Sequence, residues 1–328
     1  MNTTLFDVIP GATMPVSEVN RVLSWMWQPE PNQGRSVTPS IYRACQMTVV
    51  LHFGIEAEPE DARAKFDIAI RFAQRYPCRI VVLCPERGES GDVPLDAKLF
   101  CQCYLGESLR SRCCCEALVL GYPLSEVAYL EDQISLWVQS DLPLYYWLHR
   151  VPPQVIEEHY FPLLKGSRKV VYDSHIEGNA YDGIPWPIPQ KVADFTDSRI
   201  LPIRQCIGRF LGSYDPAMIA GGLKSVQVAF SKDYEAEANS LLKWQWACLA
   251  SCGAVNVEYA LQPQSWEGGG CLRIEWSYAD SKKSFAWSYD ASTSSSHIQA
   301  DWGVAPVQSV NQLEFLSPEV ALAEAFFF

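Results

Sequence analysis

The sequence predicts an N-terminal α/β domain, a mixed sheet with helices on its faces, followed by an α+β domain with an antiparallel sheet. Three observations predict it. Over the first half, β-branched apolar runs alternate with segments of helical period, the β-α-β order that builds such a sheet. Next comes EGNAYDGIPWPIPQ, Glu177 to Gln190. Its turn-formers Gly178, Asn179, Asp182 and Gly183 and its prolines Pro185, Pro187 and Pro189 cannot propagate a helix. The third is a pair of strand-period segments, CLRIEWSYA and KSFAWSYD, that reads as one hairpin. The expected division is residues 1–177, a linker over 178–190 and a second domain over 191–328.

Each element has its own signal. Val16 to Trp27 reads as a short helix after Pro15, closed by Pro29, Pro31 and Gly34. Arg43 to Phe53 suits a strand. Pro59 to Arg75 follows with Ala62, Phe66, Ala69, Ile70 and Ala73 on one helical face. CRIVVLC, Cys78 to Cys84, is a continuous apolar run that suits a strand covered on both sides. Lys98 to Leu105 and Arg112 to Leu120 read as two strands joined by a loop over Gly106 to Ser111. Ser125 to Gln139 is expected as a helix with Ser125 as N-cap. LPLYYWL is a strand, Pro153 to Leu164 a helix and RKVVYD a strand.

Beyond the linker, Ser198 to Leu211 and Pro216 to Gly221 read as helices and SVQVAF as a strand. Glu235 to Cys252 reads as a helix that turns Leu241, Leu242, Trp244, Cys248 and Leu249 to the core, and VNVEYAL as a strand. A two-residue turn at Asp280-Ser281 pairs Trp276 with Phe285, Ile274 with Trp287 and Leu272 with Tyr289. A strand period of two puts all six on one face, expected to pack on the 235–252 helix.

A length of 328 residues is long for one core. With 48% hydrophobic and 20% charged residues the balance is that of a globular protein. A formal net charge of −12 disfavours nucleic acid and anionic membranes, whose binding rests on neutralising phosphates. A protein partner with a basic patch is compatible. MNTTLFDVIPGATMP lacks a basic segment followed by an apolar stretch, so no secretory leader is expected. No window approaches about 18 uninterrupted apolar residues, so no membrane-spanning helix is expected. The expected location is cytoplasmic, where twelve cysteines read first as free thiols.

The common phosphate-handling and hydrolase motifs are absent. GESGD at Gly88 is weak as a nucleotide loop. Asp173-Ser174-His175 spells a hydrolase triad, yet neighbours in a strand point to opposite faces and cannot relay a proton among themselves. The bland reading, a strand end with a turn-forming Asp-Ser, wins. His52, His149, His159 and His297 have no cysteine or acid at ligand spacing. No catalytic residue, metal or cofactor is expected. Cys101 and Cys103 share one strand face, as do Cys113 and Cys115. Antiparallel pairing of the two strands would bring thiols within reach, making these four the place for any redox pair. Packing as small apolar residues is favoured over that reading, and both over zinc, because C-x-C on flat strands wraps a tetrahedral ion poorly.

Several stretches, YPCRIVVL (Tyr76 to Leu83), CEALVL (Cys115 to Leu120), SDLPLYYW (Ser140 to Trp147) and VVYDS (Val170 to Ser174), are collinear with one family. So is ADFTDSRILPIRQCIGRFLGSYD, Ala193 to Asp215, and so is the LLKWQWACLASCGA helix. Together they resemble the glucose-6-phosphate dehydrogenase assembly protein family, OpcA, from about Arg43 to Tyr289. Thr196 or Asp197, and Ile203, stand where the family usually has tryptophan. The resemblance implies a non-catalytic assembly or activating partner of glucose-6-phosphate dehydrogenase, at the entry of the oxidative pentose phosphate pathway. It makes Asp194, Arg199 and Arg204, with Asp173, candidates for the partner interface. Two rivals stand beside it: an α/β enzyme acting on a small sugar phosphate through Arg199, Arg204 and Asp173, and a thiol-based redox protein.

Overall fold

A computed structural model describes residues 3–26, 45–87, 96–105, 112–138, 141–266 and 271–328. Trp27, Pro29, Pro31, Gly34, Arg43, Gly88, Gln139, Ser140 and the 106–111 loop lie outside the described residues. The chain divides into two compact units, Met1–Asp194 with Pro318–Phe328, and Phe195–Ser317. The division falls later than the expected 178–190 linker, and the C-terminal segment returns to the first unit. The 178–190 segment folds onto its own unit by burying Tyr181 and Ile184. Prolines there stop a helix but do not stop burial.

The first unit is built on an eight-stranded mixed sheet. Its strands are β1 (Ala12–Pro15), β2 (Met47–Phe53), β3 (Cys78–Glu86), β4 (Asp96–Leu105), β5 (Arg112–Pro123), β6 (Leu144–His149), β7 (Lys169–Tyr172) and β8 (Val192–Asp194). Across the sheet the order is β1-β4-β5-β3-β2-β6-β7-β8. The six strands from β5 to β8 run parallel, while β4 and β1 pair antiparallel at one edge. Every residue of β2 is buried, as the unbroken apolar runs of a parallel sheet require. The Pro59–Arg75 helix has its expected bounds and buries its expected face. It packs on the C-terminal helix Pro318–Phe327, with the Phe72 and Phe326 rings 5.6 Å apart.

Three helices of this unit differ from expectation, the first because Val16–Glu18 is a 3₁₀ turn and the α-helix spans only Val19–Met26. Leu124–Tyr129 is a 3₁₀ turn, the α-helix starts only at Leu130, and Ser125 caps nothing. Val127 and Leu130 are both buried, and their three-residue spacing suits the tighter coil. The expected Pro153–Leu164 helix is continuous, but Ile156–Tyr160 widens into a π turn. Pro162 lacks an N–H to bond back into the preceding turn, so the helix widens where that bond is missing.

The second unit carries a six-stranded sheet of order β10-β9-β11-β12-β13-β14. Its strands are β9 (Leu223–Phe230), β10 (Glu258–Pro263), β11 (Cys271–Tyr278), β12 (Lys283–Asp290), β13 (Ser295–Trp302) and β14 (Pro306–Gln312). Only the β9–β10 pair is parallel, because the Glu235–Ser251 helix crosses over between them. The β11–β12 register pairs Trp276 with Phe285, Ile274 with Trp287 and Leu272 with Tyr289, as the sequence pattern requires. All six side chains are buried. The Glu235–Ser251 helix turns Leu241 and Leu249 inward as expected, but Leu242 and Trp244 are half-buried and Cys248 is exposed. Gln245 takes an inward position instead, where its Oε1 accepts from Trp276 Nε1 at 2.6 Å. The expected Ser198–Leu211 helix is two helices, Phe195–Arg199 and Leu201–Leu211, broken at Ile200 and restarted with Pro202 in the first turn.

Candidate functional site

The first unit's sheet reverses direction once among its parallel strands. From β2 the chain moves to β3 on one side, whereas from β6 it moves to β7 and β8 on the other. Open α/β sheets place their functional sites outside the carboxyl ends of strands at such a reversal. Here that is the junction of Phe53-Gly54 with His149-Arg150.

Backbone constraints define this junction. Gly54 N donates to His149 O at 2.8 Å. A Cβ on Gly54 would lie 1.6 Å from Arg150 O, so only glycine fits. Arg150 has φ 54°, a left-handed conformation that costs a branched or long residue energy unless its surroundings hold it there. They do. Arg150 N donates to Glu177 Oε1 at 2.6 Å, and the next carbonyl, Val151 O, accepts from Tyr181 Oη at 2.6 Å.

Charged groups converge on the same point. Asp61, in the first turn of the Pro59–Arg75 helix, accepts at Oδ2 from His149 Nε2 at 2.6 Å and from Arg150 Nε at 3.0 Å. Burial pushes the His149 imidazole down to about 4, against the pull of Asp61. The ring is therefore neutral at neutral pH, with its proton on Nε2 facing the carboxylate. Its Nδ1 is then an acceptor, buried and without a partner among the described residues. Burial works to raise the Asp61 carboxyl, but its contact with His149, the hydrogen bonds from Arg150 and His149 and the nearby Lys65 ammonium outweigh it and hold the carboxyl low. Burial pushes the Glu177 carboxyl up to about 7; Asp173 and Asp61 add to this, while Arg150 opposes it.

Chemically this is a His–Asp dyad turned inward, with a strained arginine and a near-neutral glutamic acid toward the surface. His149 is 1% exposed, so its ring fixes Asp61 and does not meet solvent. Arg150, 41% exposed, and the Asp61 carboxylate offer a charged surface to a partner. Beside the dyad, His52 Nε2, Tyr122 Oη and Tyr160 Oη form a buried chain with links of 2.9 and 2.8 Å. Burial lowers His52 to about 3, so this chain is neutral and holds the ends of β2 and β5 to the π turn.

The expected interface residues fall into two pairs, one in each unit. Asp173 is buried and caps the Ser174–Glu177 helix, accepting from His175 N at 3.1 Å. Asp194 Oδ1 accepts from Ser174 N at 3.0 Å. The two aspartates thus anchor the short helix that carries Glu177 to Arg150. In the second unit, Arg199 Nη2 lies 2.5 Å from Glu237 Oε1, and Arg204 Nη2 donates to Asp197 O at 2.7 Å. Asp61, His149, Arg150 and Glu177 escape sequence reasoning because they are far apart in the chain. Their one local signal is a histidine-arginine pair followed by Pro152-Pro153, at the end of an apolar strand.

The cysteine strands pair antiparallel, but the register sets Cys101 opposite Glu116 and Gln102 opposite Cys115. Opposed residues share a face and neighbours alternate, so the Cys101 and Cys115 side chains point to opposite faces and do not pair. Burial, with Glu116 adding to it, raises the Cys101 thiol, which makes it a poorer nucleophile. The side chains of Cys103 and Cys113 lie outside the described residues.

Fold and site together define a two-unit protein with a charged constellation at the switch point of its α/β sheet. Among the described residues no helix is long and apolar enough to cross a membrane. A family model described as the glucose-6-phosphate dehydrogenase subunit N-terminal domain, of the OpcA family, matches residues 69–183. A protein of Synechocystis sp. named for OpcA and the OxPP cycle is 23% identical over 211 residues, covering 61% of this chain and 42% of that protein. The chain thus spans less than half the length of this relative. The family match and the relative's name agree on similarity to OpcA. The matched segment contains His149, Arg150, Asp173 and Glu177; Asp61, Asp194, Arg199 and Arg204 lie outside it.

Proposed function

We propose that this chain is a non-catalytic partner of glucose-6-phosphate dehydrogenase that promotes its assembly or activity in the oxidative pentose phosphate pathway. One observation carries the reading: the family match covers the segment that builds most of the switch-point constellation. The geometry is in keeping with it. The histidine of that constellation is turned inward and its second nitrogen meets no nucleophile among the described residues. What reaches the surface is a charged, conformationally fixed edge, suited to contact with a protein. A net charge of −12 favours a dehydrogenase face carrying basic residues.

The test is to mix the purified chain with glucose-6-phosphate dehydrogenase and follow NADP reduction and sedimentation together. Binding at fixed stoichiometry, with a changed rate or a changed dehydrogenase oligomer, supports the reading. Unchanged kinetics and two independently sedimenting species refute it.

A further inference from the structure

The second unit holds a cleft of about 330 Å³ between the Leu201–Leu211 helix, the Pro216–Ala220 helix and the Glu235–Ser251 helix. Its walls include Leu211, Tyr214, Ile219, Trp244, Leu249 and Trp276. Three features set it apart from a packing defect.

The first is size and lining. A dry apolar cavity of about 150 Å³ accepts benzene, so this volume suits about two fused rings. Aromatic walls favour a planar guest, because stacked and edge-on ring contacts add to area burial. The second is Gly208, which lines the cleft from within the Leu201–Leu211 helix. Glycine inside a helix costs about 0.5–1 kcal/mol relative to alanine. Its φ is not positive, and a Cβ on it would meet nothing within 4 Å. Backbone conformation therefore does not require glycine at 208; its effect is to leave the cleft open.

The third is Gln245, 2% exposed in the same wall. Its Oε1 accepts from Trp276 Nε1, which fixes the amide orientation. Nε2 is left buried with no acceptor among the described residues. A buried amide donor without a partner is costly, and a guest with an acceptor atom would satisfy it.

We propose that this cleft is a binding site for a small, uncharged, planar bicyclic molecule, whose acceptor atom takes a hydrogen bond from Gln245 Nε2. The site lies in the second unit, outside the family-matched residues, and does not depend on the dehydrogenase reading.

Quinoline and naphthalene test it, being alike in shape but differing in one acceptor nitrogen. Titration of the full chain at pH 7.5, followed by calorimetry, should show saturable quinoline binding, with naphthalene about fivefold weaker for lack of one hydrogen bond. Gly208→Leu fills the open space and should weaken quinoline at least tenfold while the melting temperature holds or rises. Independently of any variant, quinoline protons in the saturated wild type should show NOEs to the indole protons of Trp244 or Trp276. Absence of saturation, binding unchanged by Gly208→Leu in a folded variant, or no such NOEs at saturation overturns the site. Equal affinity for the two rings overturns the role given to Gln245.

Discussion

Replacing Glu177 by glutamine should make the first unit more stable at pH 8 and leave it nearly unchanged at pH 5. Burial is the main reason that the Glu177 carboxyl stands at about 7, against an ordinary value of 4.5. Between those two values the folded chain holds a proton that the unfolded chain has released. Stability from this group is therefore complete below pH 4.5 and is lost as pH rises through 7. The full difference is worth about 3 kcal/mol. Glu177 is only half-buried, so screening brings the expectation to about 1–2 kcal/mol. Glutamine keeps an Oε1 that can accept from Arg150 N and never ionises, so the variant lacks only the pH-dependent part. His149 and His52 act with the opposite sign: their lowered values remove stability as pH falls below 6.5. Both are present in wild type and variant, and they cancel in the difference. The assay is urea unfolding of the two proteins from pH 5 to pH 8, fitted with separate transitions for the two units. A wild-type minus variant difference that stays constant across that range refutes the assignment of a raised, buried acid at this junction.

Four substitutions elsewhere in the chain have outcomes set by their surroundings. Gly54→Ala drives a methyl group into Arg150 O and should cost at least about 3 kcal/mol, read as loss of the first unit's unfolding transition at native pH. Arg79 and Glu116 sit opposite each other on β3 and β5 as a buried ion pair 2.5 Å apart. Glu116→Ala strands the guanidinium and should cost about 3–5 kcal/mol by urea unfolding. In the second unit, Arg199→Ala leaves Glu237, 4% exposed, without its guanidinium and should lower the melting temperature. Arg204→Ala should leave the melting temperature nearly unchanged and weaken dehydrogenase binding; normal binding with a large loss of thermal stability would assign Arg204 to the fold.

The sequence by itself determined the elements whose signals are local. The Pro59–Arg75 helix has its proline at the start and five inward residues at helical spacing. The β11–β12 register follows from a period of two, although the turn closes with Lys283 N on Asp280 O at 3.0 Å, around Ser281-Lys282 and one residue later than expected. Both are settled by residues within one or two turns of each other. β13 carries a legible alternation too: Ser296, Ile298, Ala300 and Trp302 are buried while the residues between them are more open. No sequence expectation extends past Asp290 to β13, β14 and the Pro318–Phe327 helix.

Tertiary structure alone decided the rest. β8 is three half-buried residues with no pattern of its own, and it is a strand only because β7 offers an open edge to pair with. That pairing moves the unit boundary past the prolines. The thiol strands show how one position of register decides chemistry, since a shift by one residue exchanges the faces of every side chain. Asp61 and His149 are 88 positions apart, and Arg150 and Glu177 are 27 apart. They meet because β2 and β6 lie side by side in parallel, a pairing that closes a long loop and is set by the packing of the whole sheet. A histidine with no acid nearby in sequence therefore becomes the centre of the site.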